Sequence, residues 1–135
     1  MSGFLIQSHF GSMGNFEVVV PSRAAGGLVH FWRNNDDPSF AWSGPTYFAG
    51  GLGAIDGVSL IESNFGSPGN LEVIAEAGGQ QYHFWRDSTG WNGPDIIPSI
   101  VAGVPGLIQG TFGVKGNFEA VAALASGGLV HFWRQ

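Results

Sequence analysis

The chain contains no cysteine, and lysine occurs once, at Lys115. Without cysteine there is no disulfide framework and no thiolate metal site, and the redox compartment stays open. With a single lysine and only 11% charged residues, the composition is not that of a helical bundle or a coiled coil. Five Lys and Arg stand against ten Asp and Glu, a formal charge of −5. That balance leaves no electrostatic footprint for a nucleic-acid backbone and disfavours anionic membranes. No apolar run approaches the roughly 20 residues of a membrane span, so no membrane insertion is expected. The first residues, Met1 to Gln7, lack the charged and long apolar regions of a signal peptide. The expectation is cytoplasmic synthesis, with any release by a route that needs no signal peptide. What the 135 residues do hold is 23 glycines, 44% hydrophobic residues and 13% aromatics. The glycines have no three-residue period, which excludes collagen, and the aromatics and low charge exclude a disordered chain. A glycine-punctuated all-β protein remains.

Internal self-similarity is the dominant signal. Phe10-Gly11-Ser12-Met13-Gly14-Asn15-Phe16-Glu17-Val18 recurs as Phe65-Gly66-Ser67-Pro68-Gly69-Asn70-Leu71-Glu72-Val73. It recurs again as Phe112-Gly113-Val114-Lys115-Gly116-Asn117-Phe118-Glu119-Ala120. A Leu-Ile pair precedes each copy, at Leu5-Ile6, Leu60-Ile61 and Leu107-Ile108. An identical tetrapeptide follows each: His30-Phe31-Trp32-Arg33, His83-Phe84-Trp85-Arg86 and His131-Phe132-Trp133-Arg134. The first two copies continue into Trp42-Ser43-Gly44-Pro45 and Trp91-Asn92-Gly93-Pro94. Successive Phe-Gly positions, 10 to 65 and 65 to 112, lie 55 and 47 residues apart.

Period and punctuation assign strands to these segments. Phe4 to Phe10 reads as a short strand ended by a Phe-Gly-x-x-Gly turn. Asn15 to Val20 alternates, with Phe16, Val18 and Val20 opposite Asn15, Glu17 and Val19. Leu28 to Arg33 is a third strand, with Leu28, His30 and Trp32 on one face. The Trp-x-Gly-Pro element supplies a short fourth strand, where proline suits an edge. Four antiparallel strands per unit of about 50 residues fit a β-propeller blade. The predicted units are 1–57, 58–105 and 106–135, the last incomplete because it has no Trp-x-Gly-Pro strand. One blade cannot bury both of its faces, and a ring of about 4–8 must close. Three blades in one chain therefore predict a homo-oligomeric ring, with a six-bladed dimer favoured over a nine-bladed trimer.

These motifs resemble those of bacterial propeller lectins of the Photorhabdus type, the PLL or bangle-lectin family. That family repeats a Gly-Asn-(Phe/Leu)-Glu-(Leu/Val) strand, a His-(Tyr/Phe)-Trp-Arg strand and a Trp-containing element in each blade. Asn34-Asn35-Asp36-Asp37-Pro38 is similar to its extended blade linker. The resemblance spans nearly the whole chain. It implies a propeller that binds fucose and related, sometimes O-methylated, monosaccharides between adjacent blades. The chain departs from the family in blade number, since members carry about seven blades in one chain. A structural or engineered propeller fragment, self-assembling without ligand binding, is the alternative reading.

Against that background the scarce polar residues become candidates. Glu17, Glu72 and Glu119 fall in the Gly-Asn-x-Glu strand, and Arg33, Arg86 and Arg134 end the tetrapeptide. Glutamate and His or Arg on neighbouring strands can satisfy each other when partly buried, or can present hydrogen bonds to sugar hydroxyls. A sugar also needs an apolar platform, for which Trp32, Trp85, Trp133, Trp42 and Trp91 are the candidates. Trp42 and Trp91 lie in glycine-rich elements that read as exposed. Phe10, Phe65, Phe112, Phe16 and Phe118 read as core, and His30, His83 and His131 as structural. No G-x-S-x-G elbow, P-loop or H-E-x-x-H helix occurs, so neither a catalytic residue nor a cofactor is expected. A metal held by the three histidines has no second ligand nearby in sequence and is not expected either.

Overall fold

A computed structural model describes residues 3–134. Among the described residues the fold is all-β, with one helical turn, a 3₁₀ turn at Gly50–Leu52. Three antiparallel sheets follow one another along the sequence. Sheet 1 comprises β1 (Phe4–Gln7), β2 (Phe16–Pro21), β3 (Leu28–Arg33) and β4 (Trp42–Phe48). Sheet 2 comprises β5 (Gly57–Glu62), β6 (Leu71–Ala77), β7 (Gln80–Asp87) and β8 (Gly90–Ile97). Sheet 3 has three strands among the described residues: β9 (Gly106–Gln109), β10 (Phe118–Ala123) and β11 (Leu129–Arg134). Each sheet is a meander, in which hydrogen-bonded neighbours are also neighbours in sequence.

The first strand ends earlier than the alternation alone predicts. β1 ends at Gln7 because the Asn15 amide donates to the Phe10 carbonyl at 3.1 Å, closing the turn. The Ser8 amide still donates to the Asn15 carbonyl at 2.8 Å, and His9 and Phe10 lie within the turn. The register is shared: Glu17, Glu72 and Glu119 pair with Trp32, Trp85 and Trp133. In sheets 1 and 2 the ladder to the last strand slips between the His and the Trp of the tetrapeptide. Gly44 and Gly93 sit opposite that bulge with φ of +111° and +114°. A Cβ at either glycine would lie 2.8 Å from the carbonyl oxygen of His30 or His83, so a side chain is excluded.

Because side chains alternate, each sheet presents two faces. In sheet 2, Leu60, Val73 and Phe84 form one face and pack against Val19 and Leu28 of sheet 1, making the core. The other face of sheet 2 carries Glu72, Ile74 and His83 and turns toward Phe118 of sheet 3. Sheet 2 is thus covered on both faces, while sheets 1 and 3 each have one face covered. The expected core phenylalanines divide accordingly. Phe10 packs against the core, and Phe65 meets Phe118 at 5.3 Å between ring centroids. Phe112, expected in the core, is instead 74% exposed, because no further sheet lies beside it for its ring to rest on.

Candidate functional site

The histidine and glutamate of each sheet are brought together across β2–β3, β6–β7 and β10–β11. His30 Nε2 donates to Glu17 at 3.3 Å, His83 Nε2 to Glu72 at 2.8 Å, and His131 Nε2 to Glu119 at 2.7 Å. The pairs differ in cover. The His30 side chain is 2% exposed, that of His83 12% and that of His131 55%. A carboxylate buried as deeply as Glu17 or Glu72 must be hydrogen-bonded, so the pairing is first a structural requirement.

Between sheets 2 and 3 the pair opens onto a cavity of about 350 Å3. Its apolar wall comprises Ile74, Ile96, Ile97, Leu107, Phe118 and Phe132. Polar groups converge on it from both sheets. Ser63 Oγ donates to Glu72 Oε1 at 2.9 Å, and Glu72 Oε2 accepts from His83. Arg134 Nη1 then reaches His83 Nδ1 at 3.3 Å and Asp95 Oδ2 at 2.5 Å. With Nε2–H committed to Glu72, His83 Nδ1 is the acceptor for the guanidinium. The chain Ser63–Glu72–His83–Arg134–Asp95 therefore ties the two sheets together. It leaves the remaining guanidinium N–H groups and the second Asp95 oxygen for hydroxyl groups in the cavity.

Between sheets 1 and 2 the equivalent space is full. Trp91 stacks on Phe48 with centroids 3.9 Å apart and planes 3° apart. Its edge meets His30 at 5.5 Å. His30 and Phe48 correspond in register to His83 and Ile97, which line the cavity on the other side of sheet 2. An indole thus occupies in one junction the volume that is open in the other.

The candidate residues lie in different settings. Trp32 and Trp85 are partly buried and tilt against His30 and His83 at 5.2 and 5.5 Å. Trp133 makes the same contact with His131 at 5.8 Å but is 66% exposed, and it also borders the cavity. Trp42 is exposed, as its glycine-rich context suggests, whereas Trp91 is partly buried by Phe48. Arg33 lies over Phe16 at 4.5 Å and Phe40 at 4.9 Å, and its Nε donates to Asn35 Oδ1. Arg86 borders a smaller hollow of about 180 Å3 beside Phe10 and the Gly66–Asn70 turn. Only Arg134, Glu72 and Trp133 of the candidates meet at the cavity between sheets 2 and 3.

Asp95, Ile97, Ser63 and Phe118 belong to that site without having been singled out for it. Asp95 carried no signal, since Thr46 occupies its position in sheet 1 and only proximity to sheet 3 gives it a role. A separate polar group, Glu76, is 4% exposed and accepts from the Gly79 amide at 2.8 Å. Burial and the neighbouring Asp56 carboxylate hold Glu76 above the ordinary glutamate range. Beside the β7–β8 turn, the Thr89 hydroxyl and amide hold Asp87 below its ordinary value. No group of three or more metal-ligating side chains converges among the described residues. No protein-family model, curated protein or solved structure matches the chain.

Proposed function

We propose that this chain is a multivalent carbohydrate-binding protein that takes fucose or a related, including O-methylated, monosaccharide in clefts between adjacent sheets. In this reading the sheets are successive propeller blades, and the ring is completed by further copies of the chain, six blades from two chains being favoured. The observation that carries it is the cavity between sheets 2 and 3. Its apolar wall matches the C–H face of a sugar ring, and Arg134, Asp95 and His83 supply fixed polar groups at one end. The Glu–His elements recur with the same partners in each sheet, which suits several equivalent weak sites acting through avidity. Catalysis would call for distinct acid and base roles rather than three like pairs, so the reading is of a binder, not an enzyme.

A second reading, a self-assembling scaffold with no ligand, is favoured by the closed junction between sheets 1 and 2, where Trp91 and Phe48 fill the space. Calorimetric titration with fucose and O-methylfucose separates the two. The lectin reading expects saturable binding that Arg134→Ala weakens about tenfold or more, roughly 1.4 kcal/mol, with the thermal midpoint little changed. Absence of binding by the folded assembly supports the scaffold.

A further inference from the structure

We infer that the two end faces of the three-sheet stack are complementary, and that a second copy of this chain docks head to tail, its sheet 1 against the open face of sheet 3. The inference rests on reading the sheets as successive blades, but not on sugar binding. It starts from positions that match in sequence and register and differ only in cover. Leu60 is 0% exposed where the face of sheet 2 meets sheet 1, and Leu5, its counterpart on the open face of sheet 1, is 58% exposed. Val19 and Leu28 are both 0% exposed where sheet 1 meets sheet 2. Their counterparts on the open face of sheet 3, Val121 and Leu129, are 43% and 74% exposed. Each end therefore displays the half of a junction that the other end lacks.

A hydrogen-bonded latch sets the register of this docking. At the first junction the His9 amide donates to Glu62 Oε1 at 3.0 Å. At the second, the Asn64 amide donates to Gln109 Oε1 at 2.9 Å. In each case the loop after one sheet's first strand reaches the last residue of the next sheet's first strand. Thr111 is the corresponding donor in sheet 3, and Gln7 the corresponding acceptor in sheet 1. Gln7 is already set for that role: its Nε2 donates to the Met13 carbonyl at 3.1 Å and the Gly14 carbonyl at 3.4 Å. Gln109 is held in the same way by Lys115 and Gly116, at 3.2 and 3.1 Å. That leaves the Gln7 Oε1 without a donor among the described residues.

The aromatic groups match in the same register. Phe65 rests on Phe118, so Phe112, 74% exposed, would rest on Phe16 of the second copy. Trp91 covers His30, so Trp42, 49% exposed, would cover His131. The same docking sets Arg33 of the second copy beside His131, the counterpart of the His83 that Arg134 meets at the cavity. A further inter-sheet site would thus be assembled from two chains and be incomplete in either one. Such an interface is heterologous, and two of them close a ring of two chains.

Light scattering at micromolar concentration tests this with single charged substitutions on the exposed faces. The wild type is expected at twice 14.2 kDa, and Leu5→Arg and Val121→Arg each at one chain mass, with the strand circular dichroism unchanged. Mixing the two variants restores a 1:1 complex, because one intact sheet 1 face then meets one intact sheet 3 face. A monomeric wild type, a dimer that survives Val121→Arg, or a mixture that stays monomeric each overturns the docking. If Val121→Arg fails to fold, Leu129→Arg replaces it. Fucose titration of the monomeric Val121→Arg, which retains the cavity between sheets 2 and 3, reads the carbohydrate proposal separately. Binding by Val121→Arg together with a monomeric wild type sinks the docking alone, and a dimeric wild type without binding by Val121→Arg sinks the carbohydrate reading alone.

Discussion

The two junctions within the chain use matching strands in matching register and reach different ends. Between sheets 1 and 2, Leu28, Leu60, Leu71 and Phe84 are buried and an indole stacked on a phenyl ring closes the gap. Between sheets 2 and 3, a polar chain from Ser63 to Asp95 bridges the sheets and a cavity remains. The difference comes from what each neighbour offers. The first junction receives Trp91 from the fourth strand of sheet 2, while sheet 3 offers no fourth strand among the described residues. Packing in the first is dominated by apolar burial, whereas the second trades part of that burial for hydrogen bonds. One backbone pattern thus supports a closed seam where a fourth strand supplies Trp91, and a ligand-sized opening where the described residues supply no such strand.

That contrast can be broken at its apolar side first. Phe84→Ala at the closed junction is expected to cost about 3–5 kcal/mol, because Phe84 is 3% exposed and meets Phe48 edge-on. Phe118→Ala beside the existing cavity is expected to cost about 1 kcal/mol, since its ring is only partly covered. Denaturant unfolding of the two variants measures the difference, and equal losses would remove the contrast. An effect smaller than that of Phe84→Ala is expected at the glutamate–histidine pairs. Glu17→Leu leaves the His30 N–H buried without its acceptor and is expected to cost about 1–3 kcal/mol. Glu119→Leu in the monomeric Val121→Arg background is expected to change stability by less than about 0.5 kcal/mol, because His131 is open to water there. The same unfolding measurement reads both.

The smallest expected effect is a pH dependence at Glu76, on the face of sheet 2 toward sheet 3. Its folded value lies above the unfolded one, so its contribution to stability is fully present below the ordinary glutamate value of about 4.3. That contribution is lost as the pH rises through the folded value, because the unfolded state releases its proton first. Glu76→Gln is expected to remove this decline. The difference between wild-type and variant unfolding free energies, measured from pH 4 to 7, shows it as a downward slope; a flat or rising difference contradicts the assignment.

Much of the local structure was legible in the sequence because strand alternation and glycine turns are local properties. Leu28 to Arg33 is a strand with the bounds its pattern implies, and Glu17 meets His30, one of the partner types the sequence left open to it. Turn chemistry was less legible: the bond from Asn15 to Phe10 ends the first strand at Gln7. Site membership was legible only in part. Arg134 and Glu72 stand out as charges in a chain with few, whereas Asp95 and Ile97 look like ordinary residues of an edge strand. Trp42 and Trp91 occupy equivalent places in sequence, yet one is exposed and the other is stacked on Phe48.

The sequence by itself determined which segments become strands and which side chains share a face of each strand. Those outcomes depend on a two-residue period and on neighbours joined by short turns, both written locally. Tertiary structure alone decided the rest: which face is covered, which of three like pairs is buried, and where a cavity stays open. Burial depends on the sheet that lies opposite, and equivalent residues in the chain do not have equivalent neighbours. Phe10, Phe65 and Phe112 show the reason most directly, for the first two find a sheet beside them within the chain and the third does not.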